Sequence, residues 1–285
     1  MKMFKKVTII GVGLIGGSLG MAIRSANLAE EIIGVTRHKY TLNLAKRHKA
    51  INRGTLNIKR AIQDADLVIV ATPVFRIVEI VRNIIPRIKR GCIITDVGSV
   101  KGVIVKEIEK IPRIRKREIY FVGGHPMAGS EKSGISSARG NLFKDSFCFL
   151  TETPITNQQA LAKIKRFWRK LGAEVEVLSP QKHDSIVAYI SHLPHILAYH
   201  LSVLVPFEYY KYAAGSFLDM TRIASSSPEL WRDICSMNTR EIDRVLKTYG
   251  ASISYLRSFI NQGRYKKLSD LFKKAKRRRD SCNKD

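Results

Sequence analysis

Residues 7–25 constrain this chain more tightly than any other stretch. An aliphatic run, Val7-Thr8-Ile9-Ile10, passes directly into Gly11-Val12-Gly13-Leu14-Ile15-Gly16 and on into an apolar helical pattern. A GxGxxG set between a strand and a helix is a phosphate-binding turn. Gly11 permits the tight turn, Gly13 lets the backbone come close to a pyrophosphate, and Gly16 lets helix and strand pack. The amides that open the helix, at Leu14 and Ile15, lack intrahelical partners and face the phosphates. Glycines serving a plain turn are the alternative, and the flanking strand and helix weigh against it. A dinucleotide-binding α/β domain is therefore expected at the start of the chain.

A chain of 285 residues exceeds what one core usually organises, so two domains are expected. Short aliphatic runs at 7–10, 32–35, 67–71, 92–95, 120–122 and 147–150 read as strands of a parallel sheet, with helical stretches such as 14–26 and 75–85 between them. A helix over 157–171 and a last strand at 174–178 close this domain. After Ser179-Pro180 the strand pattern stops, and helices take over: one over 181–205, another from Ser227-Pro228-Glu229 onward into 252–261, and a last over 266–276. The boundaries read as 1–178 for the dinucleotide domain and 179–285 for a helical domain.

No apolar run is long enough to cross a bilayer. The basic, then apolar start is too short for a signal peptide and has no small-residue cleavage site, so a cytoplasmic protein is expected. Cys92, Cys148, Cys235 and Cys282 are scattered, without metal-ligand spacing, and read as reduced and structural. The formal charge of +26 attracts polyanions, nucleic acid included. The excess is spread along the chain, with one dense run at 273–279, and no nucleic-acid motif accompanies it. A nucleic-acid partner is not expected, and the basic run reads as a solvated helix end.

Where an acid usually holds the ribose 2′-hydroxyl, about 20 residues past the glycines, this chain has Gly34-Val35-Thr36-Arg37-His38-Lys39. A hydroxyl and cations in place of a carboxylate suit a 2′-phosphate, so Thr36, Arg37 and His38 point to NADP, with NAD left open. Ala71-Thr72-Pro73-Val74 ends a strand at the edge where such sheets bind ligands, and adds Thr72 and Pro73 to the cofactor site.

Two further loops follow strand ends: Thr95-Asp96-Val97-Gly98-Ser99-Val100-Lys101, and a glycine-rich stretch from Gly123 to Gly134 that carries His125-Pro126-Met127-Ala128-Gly129-Ser130-Glu131. Together with Ser191-His192-Leu193-Pro194-His195, Asp219-Met220-Thr221-Arg222-Ile223-Ala224 and Trp231, these motifs resemble the prephenate/arogenate dehydrogenases. The resemblance runs in order across almost the whole chain. It implies a Rossmann-type domain followed by an all-helical dimerisation domain, with the active site at their junction. It implies oxidative decarboxylation of a cyclohexadienyl dicarboxylate in tyrosine biosynthesis, with His125 as the base and Ser99 holding His125 and the nicotinamide. It further implies Arg222 on a substrate carboxylate, Ser191, His192 and His195 facing the substrate, and Glu131 gating or orienting the site by ion pairing. Asp219 and Trp231 would stand behind these groups, with plain core packing the alternative for Trp231. A homodimer is expected, in a monofunctional form without a carboxy-terminal regulatory domain.

Prephenate and arogenate stay undivided on this reading. The His192/His195 spacing is also a metal pattern, but no third ligand stands at a fixed spacing, and no metal is expected. A β-hydroxyacid-type dehydrogenase shares the domain plan, although that class uses a helical lysine and lacks the HPMAGSE loop. A non-enzymatic NADP sensor or nucleic-acid binder on the same scaffold is the third alternative.

Overall fold

The computed structural model describes residues 2–116, 118–130 and 132–282, so Glu131 lies outside the described residues. Six strands form one sheet: β1 (Phe4–Ile10), β2 (Ala29–Val35), β3 (Arg53–Thr55), β4 (Leu67–Val70), β5 (Ile93–Asp96) and β6 (Tyr120–Val122). Their order is β3-β2-β1-β4-β5-β6, and each pairing is parallel. The order reverses between β1 and β4, where an open α/β sheet leaves a crevice at its carboxyl edge. Alternate side chains divide between two cores. Leu67 and Ile69 join one cluster with Leu19, Ile23, Phe167 and Trp168; Val68 and Val70 join the other with Ile77, Val81 and Ile104. This is a Rossmann-type sheet with both faces covered, as the continuous aliphatic strands require.

Two features depart from the sequence reading. The run at 147–150 does not extend the parallel sheet. It forms β8 (Phe147–Thr151) in a separate sheet, antiparallel to β7 (Gly124–Pro126) and parallel to β9 (Glu174–Leu178). The stretch read as a loop from Gly123 therefore contains a strand, with His125 paired to Phe149. β7 is only three residues long and includes glycine and proline, so no β-propensity announced it. The edge strand β3, Arg53-Gly54-Thr55, was equally silent.

The expected helix starts are present: the side chains of Asn157, Ser179 and Ser227 accept from the backbone amides of Ala160, Lys182 and Leu230. The helix expected over 181–205 is interrupted. Pro180–Val187 and Leu193–Leu204 are α-helical, and a π-helical turn, Ala188–His192, joins them. Pro194 has no amide to donate, and its ring crowds the carbonyl of Ile190; the widened turn absorbs both.

Spatially, Met1–Thr239 form one compact unit and Arg240–Asp285 a second. In the first, Trp231 and Ile234 of the helix Pro228–Met237 join the core cluster on one face of the large sheet. That contact brings the helical region to the sheet. In the second, most of the helix Thr239–Asn261 turns through Gly263, at φ +62°, into the helix Tyr265–Asp280. Arg277, Arg278 and Arg279 occupy its last turn, where cations meet the negative end of the helix dipole. No helix among the described residues is long and apolar enough to cross a membrane. Cys92 and Cys148 are buried and unbridged, and burial pushes the Cys92 thiol up to about 12.

The glycine turn yields a contrast between neighbours. A Cβ on Gly16 would lie 1.9 Å from the Gly11 carbonyl oxygen, whereas one on Gly13 meets nothing within 4 Å. Gly16→Ala is expected to lower stability by about 1–3 kcal/mol. Gly13→Ala is expected to leave stability within about 0.5 kcal/mol and to weaken dinucleotide binding. Thermal melts and cofactor titration of both variants check this.

Candidate active site

The glycine turn opens onto a cleft of about 900 Å³ at the carboxyl edge of β1, β2 and β4. Gly11, at φ +95°, allows the turn, and a Cβ there would lie 2.3 Å from the Ala71 carbonyl oxygen. Thr36, Arg37, Thr72 and Pro73 line the cleft with Gly11 and Gly13. His38 is not among its lining residues; it is exposed at the start of the helix Lys39–Arg47. Leu14 and Ile15 pack half-buried against the core, which leaves their backbone amides to face the turn. Tyr40, Phe75 and Arg76, which the sequence reading passed over, line the same cleft. The Thr72 hydroxyl is buried there with no hydrogen-bond partner among the described residues. Room for a pyrophosphate at Gly13, a helix start aimed at it and an unpartnered hydroxyl fit a dinucleotide.

At the carboxyl edge of the neighbouring strands β5 and β6, the two loops singled out in the sequence are tied together by buried charge. Lys101 forms an ion pair with Asp96, both side chains fully buried, and its ammonium also donates to the Gly124 carbonyl at 2.8 Å. Asp96 accepts from the amides of Gly98 at 2.9 Å and Gly124 at 3.2 Å. Thus the turn after β5 holds the strand that carries His125. Asp184, from the helix Pro180–Val187, accepts from the amides of Lys101 at 2.7 Å and Gly102 at 2.8 Å. The neighbouring His183 reaches His125: its Nε2 is 2.9 Å from His125 Nδ1, and its Nδ1 is 2.8 Å from Asp184 Oδ1. The ring of Phe149 meets His183 edge-on at 5.5 Å. His125 Nδ1 is thus held by His183, and no hydrogen bond joins Ser99 to His125 among the described residues.

On the helical side the π-turn sends His192 and His195 different ways. His192 is fully buried, and its Nδ1 lies 3.2 Å from Asn238 Nδ2. The same Asn238 nitrogen lies 3.0 Å from the Asp184 carbonyl oxygen, which can only accept, so this end of the amide is the NH2. His192 Nδ1 is then an acceptor, and its proton sits on Nε2, a buried nitrogen that lacks a well-formed hydrogen bond among the described residues, although the ring lies near enough to the Ser99 backbone for it to raise the His192 pKa. His195 Nδ1 lies 2.9 Å from the Ser191 carbonyl and so carries the proton. Its ring stacks on Trp231, with centroids 3.8 Å apart. Arg222 is exposed, close enough to lower the pKa of His195, and already engaged in an interaction of its own. Asp219 is exposed, and Glu131 is outside the described residues.

All four imidazoles are held neutral. Burial, with His183, Lys101 and His192 adding, pushes His125 well below the usual imidazole range. Burial also lowers His183, against the opposing pull of Asp184, and brings His192 down to about 4. Burial and the Arg222 charge lower His195. His192 lies near enough to His125, His195 near enough to His192 and Arg222 near enough to His195 for each charge to be felt by the next, so these residues lie close together.

His183, Asp184 and Asn238 were missed in the sequence. A signal was present: 180, 183, 184, 187, 188 and 192 follow helical spacing and are all buried, and three of them are polar or ionisable. Such residues on the apolar stripe of a helix seldom lack a partner.

A dinucleotide cleft at the switch point of a parallel sheet, with a neutral buried imidazole beside it, defines the class of nucleotide-dependent oxidoreductases. Residues 19–177 match the family model "Prephenate dehydrogenase, nucleotide-binding domain", and residues 179–274 match "Prephenate dehydrogenase, dimerization domain". The chain is 35% identical over 282 residues to the prephenate dehydrogenase of Bacillus subtilis, covering 96% of this chain and 75% of the relative. It is 33% identical over 290 residues to the cyclohexadienyl dehydrogenase of Zymomonas mobilis, covering 98% and 96%. The crystal structure of prephenate dehydrogenase from A. aeolicus in complex with hydroxyphenyl propionate and NAD+ superposes with a TM-score of 0.90, at 32% identity and 98% coverage of both chains. The chain belongs to the prephenate dehydrogenase family.

The buried neutral histidines make stability sensitive to acid. Below about pH 6.5 the unfolded chain protonates its histidines while the folded chain does not, so the unfolded state binds more protons and stability falls as pH falls. A folded value near 4 for His192 gives a loss of about 2 kcal/mol at pH 5 from that residue alone. Urea denaturation at pH 7.5, 6 and 5 is expected to show a decline that His192→Asn flattens.

Proposed function

We propose that this chain catalyses the NAD(P)-dependent oxidative decarboxylation of prephenate or arogenate, yielding 4-hydroxyphenylpyruvate or tyrosine, with His125 as the proton acceptor. The observation that carries the reading is a neutral imidazole, hydrogen-bonded through Nδ1 and buried beside a dinucleotide cleft, in a chain whose two halves match the two domains of this family. Bound nicotinamide supplies the hydride acceptor, and loss of CO2 from the oxidised ring leaves an aromatic product. His125 takes the proton of the ring hydroxyl as the carbinol carbon loses its hydride, the task of a neutral imidazole near neutral pH. His192 offers an Nε2–H donor to a substrate oxygen, because Asn238 occupies its other nitrogen. Arg222 supplies a cation for a substrate carboxylate, and the Trp231 stack holds His195 in place beside it. On this reading Ser191 is a substrate-facing position, Ser99 assists His125 and the nicotinamide, and Glu131 gates or orients the site by ion pairing.

For the cofactor, the preference is NADP. Support comes from Thr36 and Arg37 in the cleft where an acid would select the 2′-hydroxyl, with Arg76 lining the same cleft. The family ranges, 19–177 and 179–274, support taking 1–178 as the dinucleotide domain and 179–285 as the helical one. The dimerization-domain match supports a homodimer. A β-hydroxyacid substrate is not favoured, since the two matched domains span most of the chain.

Steady-state rates with prephenate and arogenate, each with NAD and NADP, test the reading. Reduced-cofactor absorbance is expected with at least one cyclohexadienyl acid, and faster with NADP; no absorbance in any combination overturns it. His125→Asn is expected to lower kcat by about 10²–10⁴-fold with cofactor affinity kept. Arg222→Gln is expected chiefly to raise KM, because it removes binding common to ground and transition states.

A further inference from the structure

The hydrogen bonds around Asp184 determine which nitrogen of His125 is basic. Asp184 Oδ1 accepts from the Lys101 amide and Oδ2 from the Gly102 amide, and a backbone amide only donates. Both oxygens are therefore acceptors. The 2.8 Å contact from Oδ1 to His183 Nδ1 then requires a proton on that nitrogen. Neutral His183 keeps a bare lone pair on Nε2, and a lone pair 2.9 Å from His125 Nδ1 can be met only by an N–H. His125 thus carries its proton on Nδ1 and turns its Nε2 lone pair away from the pair.

We propose that His183 and Asp184 are positioning residues for the reaction: they fix His125 as the Nδ1–H tautomer, leave Nε2 as its only basic nitrogen, and support the imidazolium formed when Nε2 takes the substrate proton. This rests on the reading of His125 as the base. No proton has to travel beyond His125. The lone pair of His183, itself polarised by the Asp184 carboxylate, stabilises positive charge on the His125 ring. The support has a local reason. The groups facing the His125–His183 pair are Lys101, His192, Asp96 and Asp184. The Asp96 carboxylate is engaged by Lys101 and two amides, and Asp184 is the carboxylate in contact with the histidine chain. Asp184 also caps the helix Gly102–Glu109, so the same carboxylate that orients the base fixes the turn carrying Ser99.

The experiment uses the full-length enzyme in two arms. Nitrogen-15 NMR of histidine-labelled protein, with the His125 signals assigned by their loss in His125→Asn, is expected to show the Nδ1–H tautomer at neutral pH. A wild-type His125 protonated on Nε2 overturns the proposal, whatever the enzyme turns over, which separates this test from that of the function. In the second arm, His183→Leu removes the acceptor and His183→Gln puts an amide oxygen in its place. The leucine variant is expected to lose about 10²–10³-fold in kcat, with KM and cofactor affinity within about threefold, and to shift His125 toward the Nε2–H form. The glutamine variant is expected to recover at least tenfold of that loss and to restore the Nδ1–H signal. A folded leucine variant with unchanged kcat, or a glutamine variant no better than leucine, overturns it; if leucine fails to fold, glutamine against wild type and the NMR arm decide.

Discussion

The ion pair between Lys101 and Asp96 is the interaction on which the site depends. Neither side chain has any exposure to solvent. Removing two such charges from water costs several kcal/mol per ion, and their attraction offsets this only where the remaining hydrogen-bonding capacity is met. Here the carboxylate also accepts two amides and the ammonium reaches a backbone carbonyl. Two of those bonds go to Gly124, the residue before His125. A pair of this kind contributes little net stability but imposes one geometry, because any shift of the strand would leave a buried charge short of a partner.

From that anchor the rest of the site follows outward. The turn after β5 ends in a helix whose first amides are capped by Asp184, and Asp184 comes from the first helix of the helical region. The strands that hold the dinucleotide cleft and the helices that hold His192 and His195 are thus joined by hydrogen bonds next to His125. Apolar packing of Trp231 and Ile234 on the sheet's core cluster adds a second, less directional tie. The π-turn has a role in this junction as well. It sets the buried ring of His192 against Asn238 while His195 remains half-buried against Trp231.

The net charge of +26 has no single seat in the structure. Arg37 and Arg76 bring part of it to the cofactor cleft, and Arg277 to Arg279 bring part to the end of the last helix. Most of the ion pairs among the described residues are partly or well exposed, such as Lys247 with Asp243 and Lys276 with Asp280. Pairs of that kind are worth at most about 1 kcal/mol each. The field they leave favours anionic ligands, and both a dinucleotide phosphate and a dicarboxylate are anionic.

What the sequence determined by itself is whatever rests on neighbouring residues. The glycine turn, most of the aliphatic strands, the Ser227 helix cap and the motifs around His125 and Arg222 were legible because propensity, periodicity and capping act over a few positions. The tertiary structure decided what depends on partners far along the chain: His183 on His125, 58 residues away, Asp184 on Lys101, 83 away, and Asn238 on His192, 46 away. It also decided that β7 exists, since three residues including glycine and proline become a strand only when β8 supplies the other edge. The same holds for the protonation of His125. A solitary imidazole has two tautomers of similar energy, and only a fixed acceptor on one nitrogen, brought there by folding, chooses between them.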